Sequence, residues 1–197
     1  MANKKVALYF GSFNPVHNGH LAIANHIIEK NIANELWFVL TPLNPFKEGQ
    51  KLWDDNIRLL ILNKSIGDKD VFTISTIEFD LPKPNYTIRT LQELDKQFSD
   101  KQFSLVIGSD NWISFDKWKD YQAIIDNYDI FIYPRSGYDL NPQNLPETVQ
   151  LLEAPIIDIS STQIRSMLSN KDAIALNYLS SNVKDLIEEM FLNPSSL

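Results

Sequence analysis

The sequence contains no cysteine among its 197 residues and only three histidines. Without cysteine there is no disulfide framework, no thiolate nucleophile and no cysteine-based zinc or iron–sulfur site, so a metal would need histidine, carboxylate or substrate oxygen ligands. Apolar runs are only a few residues long, far short of the roughly 20 residues that a membrane-spanning helix needs. The first of them, Val6–Phe10, ends at Gly11 and is too short for a signal-peptide core. We therefore expect a cytoplasmic protein without a transmembrane helix.

An excess of positive charge is also absent. The chain has 18 Lys and Arg residues against 25 Asp and Glu residues, which gives a formal net charge of −7 at pH 7. This balance argues against a nucleic-acid-binding protein that works through a basic surface, although a local basic cluster can still bind a small anion. The expected partners are small molecules, with neither a nucleic acid nor a membrane among them.

Short apolar runs alternate with amphipathic segments along the chain. Val6–Phe10 is a continuous apolar run, which is typical of a central parallel strand buried on both faces. The pattern predicts further strands at Leu36–Leu40, Val71–Phe79, Phe103–Ile107, Asp129–Tyr133 and Ile156–Ile159. It predicts helices after Gly19, around Asp54–Ile66, around Thr87–Phe98, before Tyr128, from Ser160 onward and through Val183–Met190. This alternation predicts an α/β fold with helices on both faces of a parallel sheet, in one domain over 1–197 with a small helical part from about 160 to 197.

All three histidines lie in the first strand–loop–helix unit. His17 and His20 belong to a loop that follows the first strand, and ligands of open α/β sheets bind beyond the carboxyl ends of the strands. Gly11 and Gly19 allow the loop backbone to approach a ligand, and the next helix directs N–H groups outward. The segment therefore predicts an anion-binding loop with two imidazoles. His26 lies within the amphipathic helix and is interpreted as a packing or surface residue.

Other interpretations of this loop have less support. A structural loop with surface histidines does not account for two imidazoles that bracket a glycine. A zinc site from His-x-x-His lacks a third ligand and the glutamate of His-Glu-x-x-His. Neither a Walker A loop nor a Gly-x-Gly-x-x-Gly motif is present, so P-loop and dinucleotide-oxidoreductase functions are disfavoured.

A second motif, Ile159-Ser160-Ser161-Thr162-Gln163-Ile164-Arg165, lies near the end of the chain. Taken alone, it fits a helix N-cap followed by a solvated arginine. It also presents hydroxyls, helix N–H groups and a guanidinium together, which suits a polyphosphate.

The two motifs together resemble the nucleotidylyltransferase superfamily. The first reads Gly-x-Phe-x-Pro-x-His-x-Gly-His and the second Ile-Ser-Ser-Thr-x-Ile-Arg. Between them, in order and spacing, lie Pro84–Leu91, the Ile107–Asp110 segment with Trp118 eight residues on, and Tyr133–Tyr138. These elements are similar to the bacterial nicotinate-nucleotide adenylyltransferases, and the match runs from Val6 to about Leu192. The resemblance implies a Rossmann-like fold and adenylyl transfer from ATP to nicotinate mononucleotide, giving nicotinate adenine dinucleotide and pyrophosphate, with Mg²⁺ bound to the ATP.

The resemblance also implies roles for individual residues. His17, His20 and Arg165 would be catalytic and would contact ATP. The other ATP-binding residues would be Gly11, Ser12, Phe13, Gly108, Asp110, Arg135, Ser161 and Thr162. The mononucleotide-binding residues would be Lys47, Tyr86, Thr87, Ile88, Asp110, Trp118 and Lys119. Trp118 would stack on the pyridine ring, and the main-chain N–H groups of Ile88 and Lys119 would face its carboxylate.

One position departs from the family pattern. Family members often have Pro-x-His-Lys after the second strand, whereas this chain has Pro45-Phe46-Lys47, so Phe46 cannot supply the polar contact of a histidine. Trp112 is interpreted as a core residue, and Asp54, Asp55 and Arg58 as a charged helix start without a role in the site.

Alternative functions are adenylyl transfer to nicotinamide mononucleotide or to phosphopantetheine, and a non-enzymatic nucleotide sensor. The sequence leaves the oligomeric state open.

Overall fold

The computed structural model describes residues 3–42 and 52–192 and places a parallel six-stranded sheet at their centre. The strands are β1 (Lys4–Gly11), β2 (Glu35–Leu40), β3 (Phe72–Ser75), β4 (Lys101–Gly108), β5 (Asp129–Tyr133) and β6 (Val149–Leu151). The α-helices are α1 (Asn18–Glu29), α2 (Asp55–Ile66), α3 (Thr87–Gln97), α4 (Ser109–Trp112), α5 (Tyr121–Asn127), α6 (Ser161–Ser169) and α7 (Lys184–Ile187). Short 3₁₀ turns at Ile77–Phe79 and elsewhere join them, and a π-helical turn, Glu188–Leu192, follows α7.

The strand β1 lies inside the sheet, between β2 and β4, because its side chains are apolar on both faces. Successive residues of a strand point to opposite faces. Accordingly, Ala7 and Tyr9 belong to one core cluster, with α1, α2 and α6, while Val6 and Leu8 belong to the other, with α3 and α5. Helices therefore cover both faces of the parallel sheet, as the sequence predicts.

The order of the strands is β3-β2-β1-β4-β5-β6. The chain moves outward from β1 to β3, crosses back to β4 on the other side of β1 and then moves outward again. In such sheets the crevice beyond the carboxyl ends of the two central strands, here β1 and β4, is the usual place for a ligand.

Two predicted strands differ from the structure, and both lie towards the edges of the sheet. The strand predicted at Ile156–Ile159 is wrong: this segment has no sheet partner, and β6 at Val149–Leu151 pairs with β5 instead. Ile156 is 55% exposed. Its apolar neighbours pack on the core, but the segment that carries them is irregular. The strand predicted at Val71–Phe79 is too long, because β3 ends at Ser75 and Ile77–Phe79 forms a 3₁₀ turn.

The described residues that follow β6 are helical beyond position 160. They pack on α2, where the side-chain amide of Asn182 donates to the carbonyl of Lys64 at 3.2 Å. Within residues 3–42 and 52–192, no helix is long and apolar enough to cross a membrane.

Candidate active site

A cavity of about 280 Å³ opens beyond the carboxyl ends of β1 and β4. Most of the site residues that the sequence predicts line this one cavity. They are Gly11, Ser12, Phe13, His17, His20, Tyr86, Thr87, Asp110, Trp118, Lys119, Arg135, Ser161, Thr162 and Arg165. Residues from five separate parts of the chain therefore meet where the strand order reverses.

The loop between β1 and α1 is fixed by a buried aromatic ring. Phe13 has a φ of 42°, a left-handed backbone conformation that is unfavourable for a residue with a bulky side chain. Its ring is 1% exposed and makes edge-to-face contacts with His20, at 5.2 Å between ring centroids, and with Tyr9, at 5.7 Å. Burial of this ring offsets the backbone strain and holds the loop in its turn.

Hydrogen bonds at the start of α1 set the proton positions of the two imidazoles. His17 is the N-cap of α1. Its ring Nδ1 accepts from the main-chain N–H of Gly19, and its main-chain N–H donates to the ring Nδ1 of His20, both at 3.2 Å. Because Nδ1 accepts in each ring, the proton of each neutral imidazole is on Nε2. Gly19 is required for this arrangement, since a Cβ there would lie 2.9 Å from the His17 ring. The capping box therefore makes Nε2 of both rings a hydrogen-bond donor.

Burial keeps His17 uncharged. It is 4% exposed, and burial together with the positive charge of Arg135 lowers the pKa of His17 to about 3. His17 can donate a hydrogen bond at neutral pH, but it does not act there as a positively charged group.

The lowered pKa of His17 predicts a specific loss of stability in acid. The unfolded chain binds a proton at this histidine below pH about 6.5, whereas the folded protein does so only near pH 3, so stability falls as the pH drops between these values. We expect His17→Asn, which keeps an N-cap residue, to remove a slope of about 1.4 kcal/mol per pH unit. Urea unfolding of both proteins at pH 7, 6 and 5 measures it. Parallel pH profiles would contradict the buried, neutral state of His17.

Side chains from α2 and α6 bind three carbonyl groups of the same loop. Arg58 donates to the carbonyl of Ser12 at 2.5 Å, and Arg165 donates to the carbonyl of Asn14 at 2.7 Å. The hydroxyl of Ser161 donates to the carbonyl of Pro15 at 2.9 Å. The loop is therefore held by contacts within the protein itself, which is what charge stabilisation by fixed donors requires.

Arg58 was missed by the sequence analysis. Its side chain is fully buried, and besides Ser12 it contacts the carbonyl of Thr41 at 3.1 Å and the carboxylate of Asp55 at 2.5 Å. The interpretation of a charged helix start is correct for Asp54, whose carboxylate caps α2, and wrong for Arg58. The available signal was an arginine between apolar residues of an amphipathic helix, where a solvated side chain is not expected.

An ion pair lies at the ends of β4 and β5. Nε of Arg135 is 3.0 Å from the Asp110 carboxylate, and another nitrogen of the guanidinium donates to the hydroxyl of Tyr133 at 2.9 Å. Gly108 does not line the cavity, but a Cβ there would lie 2.8 Å from Nε of Arg135 and would also displace Asp110. A glycine is thus needed for the pair to lie across the end of β4.

The start of α3 and an aromatic group also line the cavity. Tyr86 occupies the N-cap position of α3 and Thr87 is its first residue. The side chain of Ile88 is buried in the core, so only its main chain can serve the predicted role, and the first N–H groups of a helix have no partner within it. Trp118 packs on Phe115 with ring centroids 4.9 Å apart, and Phe115 stacks on Trp112.

One part of the predicted site falls in a segment that the structure does not describe. Phe46 and Lys47 lie outside the described residues. In the part of the chain that is described, no group of three or more histidines and carboxylates is placed to hold a metal ion.

Comparisons with known proteins identify the family and the fold of this chain. Residues 8–167 match the family model of cytidylyltransferase-like proteins. A protein described as "probable nicotinate-nucleotide adenylyltransferase" from Christiangramia forsetii is 41% identical over 190 residues, which cover 95% of this chain and 97% of that protein. A protein of the same description from Porphyromonas gingivalis is 47% identical over 167 residues, 84% of this chain and 85% of its own. The Plasmodium falciparum nicotinic acid mononucleotide adenylyltransferase complexed with NaAD has the same fold, with a TM-score of 0.78 and 19% identity, covering 97% of this chain and 98% of that one.

Proposed function

Since this chain belongs to the cytidylyltransferase-like family and, within it, to the nicotinate-nucleotide adenylyltransferases, we propose that it transfers the adenylyl group of ATP to nicotinate mononucleotide. The products are nicotinate adenine dinucleotide and pyrophosphate, and the reaction belongs to NAD biosynthesis. One observation carries the proposal: a single cavity is lined by the two histidines and Arg165 together with the start of α3 and Trp118. The cytoplasmic location expected from the sequence is part of the same proposal.

The reaction needs orientation and charge stabilisation rather than a base. A phosphate oxygen of the mononucleotide attacks the α-phosphorus of ATP, and the bond from that phosphorus to the pyrophosphate oxygen breaks. The attacking phosphate is already an anion, so no side chain has to remove a proton. His17 and His20, with the N-terminus of α1, supply N–H donors to the transferred phosphoryl group, and the fixed loop keeps these donors in place.

The start of α6 is the proposed site for the β- and γ-phosphates. Ser161, Thr162 and Arg165 line the cavity there, and a guanidinium nitrogen of Arg165 donates to the Thr162 hydroxyl at 3.1 Å. The pyrophosphate that leaves gains negative charge, which this guanidinium and the N–H groups of α6 offset.

The substrate is proposed to be the magnesium complex of ATP. Mg²⁺ commonly keeps several waters and binds through substrate phosphates rather than through a protein cage, and the described residues offer no such cage. Removal of Mg²⁺ with a chelator should stop turnover, and added Mg²⁺ should restore it.

Arg165→Ala should raise the KM for ATP and slow turnover while leaving the affinity for the mononucleotide nearly unchanged. The proposed ATP contact would be a second task for the guanidinium, which already donates to the carbonyl of Asn14. Arg165→Lys should therefore restore activity only in part, since lysine lacks the planar fork that can serve both contacts. Initial rates over a range of ATP concentrations measure this. Unaltered kinetics at low ATP would remove Arg165 from the site.

The proposed function is tested by identifying the products. The protein is incubated with ATP, Mg²⁺ and nicotinate mononucleotide. The products are then separated by chromatography and identified by mass spectrometry. We expect nicotinate adenine dinucleotide and pyrophosphate in equal amounts, and roughly 10²–10³-fold less of both from the His20→Ala variant at matched times. Release of phosphate or ADP without the dinucleotide would contradict the proposal.

A further inference from the structure

Glu78 is a buried carboxylic acid that the proposed mechanism does not use. It lies in the 3₁₀ turn after β3, is 2% exposed and lines the cavity. Acidic residues are almost never fully buried unless they are paired, so its contacts call for an explanation.

The contacts of Glu78 join it to the start of α3. The hydroxyl of Thr90, a fully buried residue of α3, donates to Oε1 of Glu78 at 2.8 Å. The side-chain amide of Asn85 donates to the main-chain carbonyl of Glu78, also at 2.8 Å. Tyr86 and Thr87, which line the cavity, lie between these two anchored residues.

The carboxyl group of Glu78 also lies close to Thr41. The hydroxyl of Thr41, which follows β2, lies close enough to the carboxyl group to lower its pKa, and the carbonyl of Thr41 accepts from Arg58. Arg58 in turn holds Ser12 of the first loop. The start of α3 is thus hydrogen bonded to Glu78, and Glu78 lies beside the residue that Arg58 links to the loop with the histidines.

We propose that Glu78 is a positioning residue, which sets the start of α3 so that Tyr86, Thr87 and the first N–H groups of the helix are placed to bind the mononucleotide. The inference rests on the proposed function and adds a determinant of substrate placement to it. The Glu78 side chain acts through Thr90 of α3, while Asn85 binds the Glu78 main chain; the residues assigned to the phosphates of ATP belong to α1, its N-cap and α6 instead.

The environment favours a role for the hydrogen bonds of Glu78 rather than for its charge. Burial raises the pKa of its carboxyl group, and the hydroxyls of Thr90 and Thr41 partly oppose this. A glutamine has the same shape: its amide oxygen can accept from Thr90, and its NH₂ group can donate to the Thr41 hydroxyl. The conservative variant Glu78→Gln should therefore keep α3 in place.

The test compares KM values for the two substrates. Glu78→Ala should raise the KM for nicotinate mononucleotide by about tenfold or more and change the KM for ATP less than about threefold. A displacement of the start of α3 by about 1 Å should weaken binding of the mononucleotide, because the groups that bind ATP lie on other elements. Glu78→Gln should stay within about threefold of the wild type for both substrates. Glu93→Ala, which removes a carboxylate that contacts only Lys96 and Gln97 of the same helix, is the matched control and should leave both values unchanged.

A double mutant separates positioning from general destabilisation. Thr90→Val should raise the mononucleotide KM in the same way as Glu78→Ala, and the double variant should be no worse than the worse single variant, since both changes remove one interaction. If Glu78→Ala does not fold, Thr90→Val and Glu78→Gln decide the question. Equal rises of both KM values, additive single effects, or a Glu78→Gln variant as impaired as Glu78→Ala would overturn the inference. Wild-type turnover in the same assay tests the proposed function separately.

Discussion

Replacing His20 by alanine should lower kcat by roughly 10²–10³, the usual loss when one fixed donor to a developing negative charge is removed. Nε2 of His20 carries its proton because Nδ1 accepts from the N–H of His17. The imidazole lines the cavity at the start of α1, where the helix dipole also favours an anion. Binding of ATP should weaken far less, because the donor matters most when charge builds up on the transferred phosphoryl group.

The His20→Ala result needs a control for the capping box. His20 is the N3 residue of α1, so alanine also removes the acceptor for the N–H of His17. His20→Gln places a side-chain oxygen at N3, which can cap the helix again but supplies no imidazole. We expect it to restore the stability of the protein but not the rate. Steady-state kinetics and thermal unfolding of both variants measure this, and a wild-type kcat in His20→Ala would make the residue merely structural.

A preference of at least ~10² in kcat/KM for nicotinate mononucleotide over nicotinamide mononucleotide is the second large expected effect. The start of α3 offers main-chain N–H groups, notably that of Ile88, next to Trp118 and Lys119. A carboxylate accepts from these donors with charge assistance, whereas the NH₂ of an amide opposes a donor with a donor. Sites of this kind discriminate by roughly 10⁴, and the carbonyl that an amide retains reduces the expected factor.

Trp118→Ala separates ring binding from recognition of the acid. The proposed donors are main-chain groups, so loss of the indole should weaken both mononucleotides and leave much of the acid preference. The values of kcat/KM for both substrates, in the wild type and in this variant, test the idea. Comparable values for the acid and the amide in the wild type, or a preference for the amide, would overturn the choice of nicotinate while adenylyl transfer itself would stand.

The central part of the sheet could be predicted from the sequence, and its edges could not. Val6–Phe10 and Phe103–Ile107 are apolar at every or nearly every position, because β1 and β4 are covered on both faces. At the edges the pattern is ambiguous. Ile156–Ile159 is as apolar as a strand, but it packs as an irregular segment, while the short β6 carries a polar glutamine between Val149 and Leu151.

The site shows the same division between local and long-range signals. His17, His20 and Arg165 lie in local motifs, which the sequence displays directly. Arg58 and Glu78 lie among apolar residues, and their function depends on partners far away in the chain, such as Ser12 and Thr90. A charged residue between apolar neighbours can indicate burial, but it does not show which distant groups the side chain contacts, so the partners of these two residues are recognised only once the fold brings them together.

The most direct test of the account is the rate of pyrophosphate release from MgATP with three acceptors in parallel: nicotinate mononucleotide, nicotinamide mononucleotide and phosphopantetheine. Release should be fastest with the nicotinate compound, at least ~10² slower in kcat/KM with the amide, and absent with phosphopantetheine and without an acceptor. Release that is supported by phosphopantetheine but not by nicotinate mononucleotide would contradict the account, and so would binding of ATP and mononucleotide without any release of pyrophosphate.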